Sequence, residues 1–82
     1  MDYELEIRPR AEKDLRKIPV DQARPISTKI LNLAHGLKGD VKRLTSFTPE
    51  YRLRVGDWRV LFDVEGKKVI IHRIVHRREA YR

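Results

Sequence analysis

Tyr51-Arg52-Leu53-Arg54-Val55-Gly56-Asp57-Trp58-Arg59-Val60-Leu61-Phe62 is the stretch on which the fold turns. Apolar and polar residues alternate on both sides of Gly56-Asp57, a two-residue β-hairpin signal. With those two as the loop, Val55 faces Trp58, Arg54 faces Arg59, Leu53 faces Val60 and Tyr51 faces Phe62. Directly opposed residues share a face of the sheet. Tyr51, Leu53, Val55, Trp58, Val60 and Phe62 therefore form an apolar face, and Arg52, Arg54 and Arg59 lie on the other. Like charges directly across a ladder, as Arg54 and Arg59 are, cost stability. A fold has no need of that pairing, which points to an anion held there.

The rest of the sheet follows from the same alternation. Gly66-Lys67 makes a second turn, and 69–76 reads as the last strand, with Val69 and Ile71 toward the core. Unbroken parity places Ile70, His72, Ile74 and His76 on the arginine face, with His72 close to Arg59, and lets the strand fray or bulge near His76. Before the hairpin, Tyr3, Leu5 and Ile7 alternate with Glu4 and Glu6 as a first strand. Residues 41–44 are a candidate short strand, and 45–50, with Pro49, a loop. Pro9 suits the first turn of a helix carrying Ala11, Leu15 and Ile18, which Pro19 ends. Ile26, Ile30, Leu33 and Leu37 then recur at helical spacing up to Gly36 and Gly39. Asp21 is a plausible cap for that second helix, Pro25 a reason for a delayed start, and His35 a favourable charge at its end. The expected fold is α+β in the order β-α-α-β-β-β, a helical hairpin on one face of a twisted, mostly antiparallel sheet.

Eighty-two residues allow a single domain, 1–82, with a thin core. No cysteine is present, which excludes disulfides, a thiol nucleophile and Cys-type zinc sites. Three histidines without grouped carboxylates give no metal centre, so neither metal nor cofactor is expected. The acidic, alternating N-terminal stretch is unlike a secretory signal, and no apolar run approaches the ~20 residues of a membrane span. A cytoplasmic protein with no membrane partner is the expectation. The net charge is +7, and it is segregated: residues 1–41 carry eight basic and seven acidic side chains, residues 42–82 eleven and five. That asymmetry fits a polyanion-binding surface.

Arg52, Arg54 and Arg59 head the candidate site residues, because a guanidinium forks onto phosphate and keeps its charge. A permanently charged group stabilises a crowded phosphoryl transition state but makes a poor base. His72 and His76 titrate near neutrality and could serve as acid or base for attack by a ribose 2′-hydroxyl. Tyr81 could stack on a base or anchor the end of the chain. Lys42, Arg43, Arg73 and Arg78 join Arg52 and His72 as RNA-binding candidates. Trp58 and Phe62 are assigned to packing, and Leu61, Ile70 and Ile74 are candidate partner contacts on the arginine face.

Three stretches together resemble the RelE/ParE-type toxins of bacterial and archaeal toxin–antitoxin pairs, over nearly the whole chain. They are the helical hairpin ending Ile30-Leu31-Asn32-Leu33, the Tyr51–Phe62 hairpin, and the close His76-Arg-Arg-Glu-Ala-Tyr-Arg82. The resemblance to the RelE branch implies a ribosome-dependent, metal-independent endoribonuclease that cuts messenger RNA in the A site by 2′-hydroxyl attack. It matches Arg59 to a phosphate-stabilising position, Arg77 to an arginine that assists the leaving group, and Tyr81 to a base-stacking tyrosine. Arg52 and Arg54 match basic positions on the strand before the turn, where the RelE pattern has lysine in place of Arg54. That departure hands the proton to His72 or His76, or leaves cationic stabilisation to supply the rate, or weakens activity. Catalytic candidates are thus Arg54, Arg59, Arg77, His76 and Tyr81. The implied partners are the ribosome, messenger RNA and a cognate antitoxin, in a heterotetramer or larger complex. The same family also implies two alternatives: a ParE-like inhibitor of DNA gyrase without RNase activity, and an inactive RNA- or antitoxin-binding relative.

Overall fold

The computed structural model describes residues 2–44 and 48–80. The chain order is β1 (Glu4–Ile7), α1 (Pro9–Lys17), α2 (Val20–Leu33), β2 (Asp40–Arg43), β3 (Tyr51–Val55), β4 (Trp58–Glu65) and β5 (Lys68–His76). One five-stranded sheet runs β1-β5-β4-β3-β2. β1 joins β5 in parallel, and every other pair is antiparallel. The expected α+β architecture is present, with the candidate strand before the hairpin formed as β2.

α1 opens with Pro9, where a missing N–H costs nothing, and ends with Arg16 and Lys17 against the helix dipole. It buries only Ala11 completely, and so small a residue lets the helix axis lie close to the sheet. Pro25 does not delay α2, which starts at Val20. It removes one helical donor and the helix continues, because Ile26, Ile30 and Leu33 drive its face into the core. α2 ends at Leu33, so His35 lies in the following turn, with Nδ1 3.6 Å from Asp2 Oδ1. The core beneath the helices gathers Leu53, Val60, Phe62, Val69, Ile71 and Ile74. Tyr51 stacks on Phe62 at 5.4 Å between ring centroids.

The β3–β4 hairpin has the expected register, Val55 opposite Trp58 through Tyr51 opposite Phe62. β4 and β5 depart from simple alternation. Val64 pairs with Val69 and Phe62 with Ile71, but Leu61 then pairs with Arg73, leaving His72 as an extra residue in β5. Such a bulge shifts every later side chain by one position. Ile74 therefore lies opposite Val60 and is 3 % exposed in the core, rather than on the arginine face. Val75 takes the place opposite Arg59, and His76 lies opposite Trp58 on the helix side. Straight alternation would have put Arg73 opposite Val60, inside the core. Burying an unpaired guanidinium is costly, and the bulge avoids it.

β1 ends at Ile7, opposite Ile71, so the upper half of β5 has no strand on that side. α1 covers this edge with one side chain. Asp14 accepts the Ile74 N–H at 2.9 Å and the Arg73 Nε–H at 2.7 Å. The hydrogen bond to Asp14 raises the Arg73 pKa above its ordinary value, with partial desolvation opposing it. Arg73 thus clasps helix to sheet through Asp14. Asp14→Ala, which leaves both donors unpartnered, is expected to cost about 1–3 kcal/mol in urea denaturation. Gly39 adopts φ +125°, and a Cβ there would stand 2.8 Å from Leu53 Cδ1, a side chain with no room to move. Gly39→Ala should lower stability by about 1–3 kcal/mol in the same measurement, through backbone strain and the clash.

Candidate nucleic-acid interface

The sheet face away from the helices carries two rows of side chains. One runs Asp40, Arg54, Arg59, Val75, and the other Lys42, Arg52, Leu61, Arg73. The expected placement of Arg52, Arg54 and Arg59 together is present. Their surroundings differ. Arg52 is drawn down against Asp40, with Nη1 3.5 Å from the carboxylate and the side chain only 13 % exposed. Its Nε is buried without a partner. Arg54 is exposed, and among the described residues no carboxylate lies within ion-pair distance of it.

Arg59 folds back on the turn that precedes it. One Nη1 donates to the carbonyls of Gly56 at 2.8 Å and Trp58 at 2.9 Å. Gly56 holds φ +59°, which leaves its carbonyl turned toward that donor. Arg77 arrives at the same turn from the other end of the chain. Its backbone N–H donates to the Asp57 carbonyl at 2.8 Å, and its Nε lies 3.8 Å from Asp57 Oδ1. Arg54 and Arg59, which flank the Gly56-Asp57 turn, are thus joined there by Arg77 from the far end of β5. Asp57, which alternation identifies only as a turn residue, is the acid that Arg77 faces. Two of the arginines hold weak or replaceable partners, so the turn can receive a phosphate without breaking the core.

The remaining candidates divide. Arg43 pairs across β2 with Tyr51 on the helix side, lies 6.0 Å above that ring and binds Glu50 at 3.1 Å. It does not belong to the arginine face. Lys42 does, and is exposed beside Arg52. Arg78 is exposed beyond β5, with its backbone N–H on His76 Nδ1 at 3.3 Å. Tyr81 lies outside the described residues.

Neither histidine sits where unbroken parity puts it. His72 does not approach Arg59: its Nε2 is 3.2 Å from Asp63 Oδ2, three positions down the strand from Val75, which faces Arg59. His76 packs edge-on against Trp58, ring centroids 5.5 Å apart, in a groove shared with Asp14, Lys17 and Glu79 on the helix side. The arginine face is also not of one sign throughout. Beyond Leu61 it carries Glu6, Asp63 and Glu65, balanced in part by Arg8 and Lys68, with His72 beside Asp63. The apolar contacts expected on this face shrink likewise. Ile70 is 8 % exposed and Ile74 is in the core, leaving Leu61 half-buried.

Among the described residues there is no group of three or more metal-ligating side chains. No helix there is long and apolar enough to cross a membrane.

Comparison with known proteins agrees with this architecture. The family model described as the ParE toxin of the type II toxin–antitoxin system parDE matches residues 5–81. Toxin RelE3 of Methanocaldococcus jannaschii is 32 % identical, over 84 % of this chain and 84 % of its own length. A relative named RelE1 from the same archaeon is 33 % identical over the whole chain and 98 % of its own length. Among solved structures, the RelB–RelE antitoxin–toxin complex of Methanococcus jannaschii superposes with a TM-score of 0.77 at 28 % identity, over 93 % of this chain and 94 % of that one. The archaeal RelE–RelB complex of Pyrococcus horikoshii gives 0.77 at 27 % identity, over 98 % and 100 %. The RelBE2 complex of Mycobacterium tuberculosis shares the fold, with a TM-score of 0.80 at 21 % identity over 93 % and 99 %. With a family match across almost its full length and RelE-named relatives above 30 % identity that it covers by 84 % and 98 %, this chain belongs to the RelE/ParE superfamily of toxins.

Proposed function

We propose that this protein is the toxin of a type II toxin–antitoxin pair and acts as a ribosome-dependent messenger RNA endoribonuclease. The observation that carries the reading is the convergence of Arg54, Arg59 and Arg77 on one two-residue turn. Three permanently charged forks around a scissile phosphate favour the charge that builds on its oxygens as a neighbouring ribose 2′-hydroxyl attacks. Arg59 and Arg54 grip the non-bridging oxygens, and Arg77 faces the departing 5′ oxygen. Lys42, exposed on β2, extends the cationic strip toward the edge of the sheet. The ribosome supplies the substrate held in position, a contribution that lowers the demand on the toxin's own groups.

The position of the general base follows from the two histidines. His72 is turned to Asp63 and His76 to Trp58, so neither faces the arginine strip. Cationic stabilisation and positioning then supply the rate, with proton removal left to solvent. Its pH–rate profile on programmed ribosomes should therefore lack an inflection near ~6.5, the ordinary histidine value. An inflection there, abolished by His76→Asn, would restore a histidine base.

The relatives solved as RelB–RelE complexes support an antitoxin as the partner of this chain too. A second reading, a ParE-like inhibitor of DNA gyrase, is favoured by the description of the matching family model. Primer extension on a translated messenger after brief induction separates them. The nuclease reading expects new 5′ ends within codons, reduced by about 100-fold or more in Arg59→Ala and Arg77→Ala. Growth arrest without any such ends, unchanged by those substitutions, identifies gyrase or another target.

A further inference from the structure

The Gly56-Asp57 turn has a second side. Beneath it, between the first turns of α2 and the hairpin, lies an open groove of about 300 Å³. Its walls are Pro25, Val55 and Trp58, and its polar side chains are Asp21, Gln22 and, at the rim, Asp57. The groove and the arginine cluster share their rim, because Gly56 and Asp57 line the one and bind Arg59 and Arg77 of the other. A Cβ at Gly56 would meet nothing within 4 Å, so the approach over the rim is clear.

The polar groups of this groove have defined valences. Gln22 Oε1 accepts the Trp58 Nε1–H at 2.9 Å, which leaves the Gln22 amide NH2 as the end free to donate. Asp21 makes no ion pair among the described residues, and an ionised carboxylate only accepts. Pro25 lacks the N–H that would otherwise reach the Asp21 carbonyl, leaving a further acceptor on the same wall. An acid so close to phosphate-gripping arginines weakens the binding of a bare sugar–phosphate chain. It strengthens binding only if the ligand brings N–H donors to it.

The geometry points to a guanine-binding subsite in this groove, resting on the RNA-cleaving reading above. A phosphate on Arg59 and Arg77 places its nucleoside over the rim, and the base enters against Trp58, Pro25 and Val55. Unstacked bases of single-stranded RNA are recognised in this manner, by apolar or aromatic contact and by hydrogen bonds to the Watson–Crick edge. The edge of guanine carries one acceptor, O6, beside two donors, N1–H and N2–H. Gln22 supplies the donor for the first, and Asp21 the acceptors for the second pair. Adenine, cytosine and uracil each present a single donor group on that edge flanked by acceptors, so they satisfy Asp21 once where guanine satisfies it twice. The subsite thus selects which base lies next to the held phosphate.

Trp58 is the single tryptophan of the chain, so its fluorescence reads the groove directly. The test titrates the isolated full chain with the 3′-monophosphates of guanosine, adenosine, cytidine and uridine, and with ribose 5-phosphate. Guanosine 3′-monophosphate should quench saturably, with an affinity about tenfold or more above the other three, a normal value for one base-edge contact. Asp21→Asn should erase that preference while retaining the wild-type circular dichroism and urea midpoint, since Asp21 is exposed. Absence of nucleotide quenching, equal affinity for all four bases, or a guanine preference intact in Asp21→Asn would overturn the subsite. Primer extension with the same variants keeps the two readings apart. Arg59-dependent cleavage without guanine quenching leaves the nuclease standing and removes the subsite. Guanine-selective quenching without cleavage by the wild type retains the subsite and removes the nuclease.

Discussion

The β4–β5 ladder is the centre of the sheet, and its one irregularity sets the positions of the side chains that follow. β5 pairs with β1 only as far as Ile71 and with β4 along its length, so the shift that follows Ile71 acts on the β4 ladder and on the edge that β1 leaves open. The extra residue at His72 lets Val69, Ile71 and Ile74 all reach the core, although their spacing is two and then three. It also turns Arg73 toward the edge of the sheet, where Asp14 receives it. A side chain the core cannot accept becomes the hook that fastens α1. Full burial of an isoleucine such as Ile74 contributes about 1.5–3 kcal/mol, a large share of the stability expected of so small a domain.

That same shift distributes the chemistry. It moves His76 to the helix side beside Trp58 and places Val75 next to Arg59. His72, left at the bulge, meets Asp63 in the acidic half of the open face. The result is an electrostatic division along one surface. Cations collect at the hairpin turn, and carboxylates with their balancing charges occupy the opposite end. A polyanion laid across the sheet is attracted at one end and repelled at the other, which fixes where along the strand it can bind.

Arg59 and Arg77 are more than two charges that happen to be close. The Arg59 guanidinium is bonded to the Gly56 carbonyl, so it is held at low entropic cost before any ligand arrives, while Arg77 is tied to the turn by its backbone N–H and keeps an exposed side chain 3.8 Å from Asp57. Arg54 stays exposed, opposite Arg59 and across from Asp40 on the neighbouring strand. Arg52 has the contrary fate. It is largely buried against Asp40, and that pair ties β2 to β3 at the edge of the sheet. Two arginines of neighbouring positions thus end differently: Asp40 draws Arg52 down and leaves Arg54 exposed.

Much of this was legible in the sequence, because its determinants are local. Alternation around Gly56-Asp57 set the hairpin register, the helical spacing of Ile26, Ile30 and Leu33 set the buried face of α2, and Pro9 and Pro19 set the limits of α1. The grouping of Arg54 with Arg59 followed from opposition across a two-residue turn. The clues to the bulge were present too, in the three-residue step from Ile71 to Ile74 and in Arg73 at a slot that strict alternation would bury. Reading them requires knowing that β4 offers Val60 at that point, a partner twelve or more residues away. The tertiary structure alone decided the meeting of Arg77 with Asp57, the Asp14 clasp, and the removal of both histidines from the arginine strip. Each depends on how separate elements dock, and docking is set by the burial of side chains that no single stretch contains.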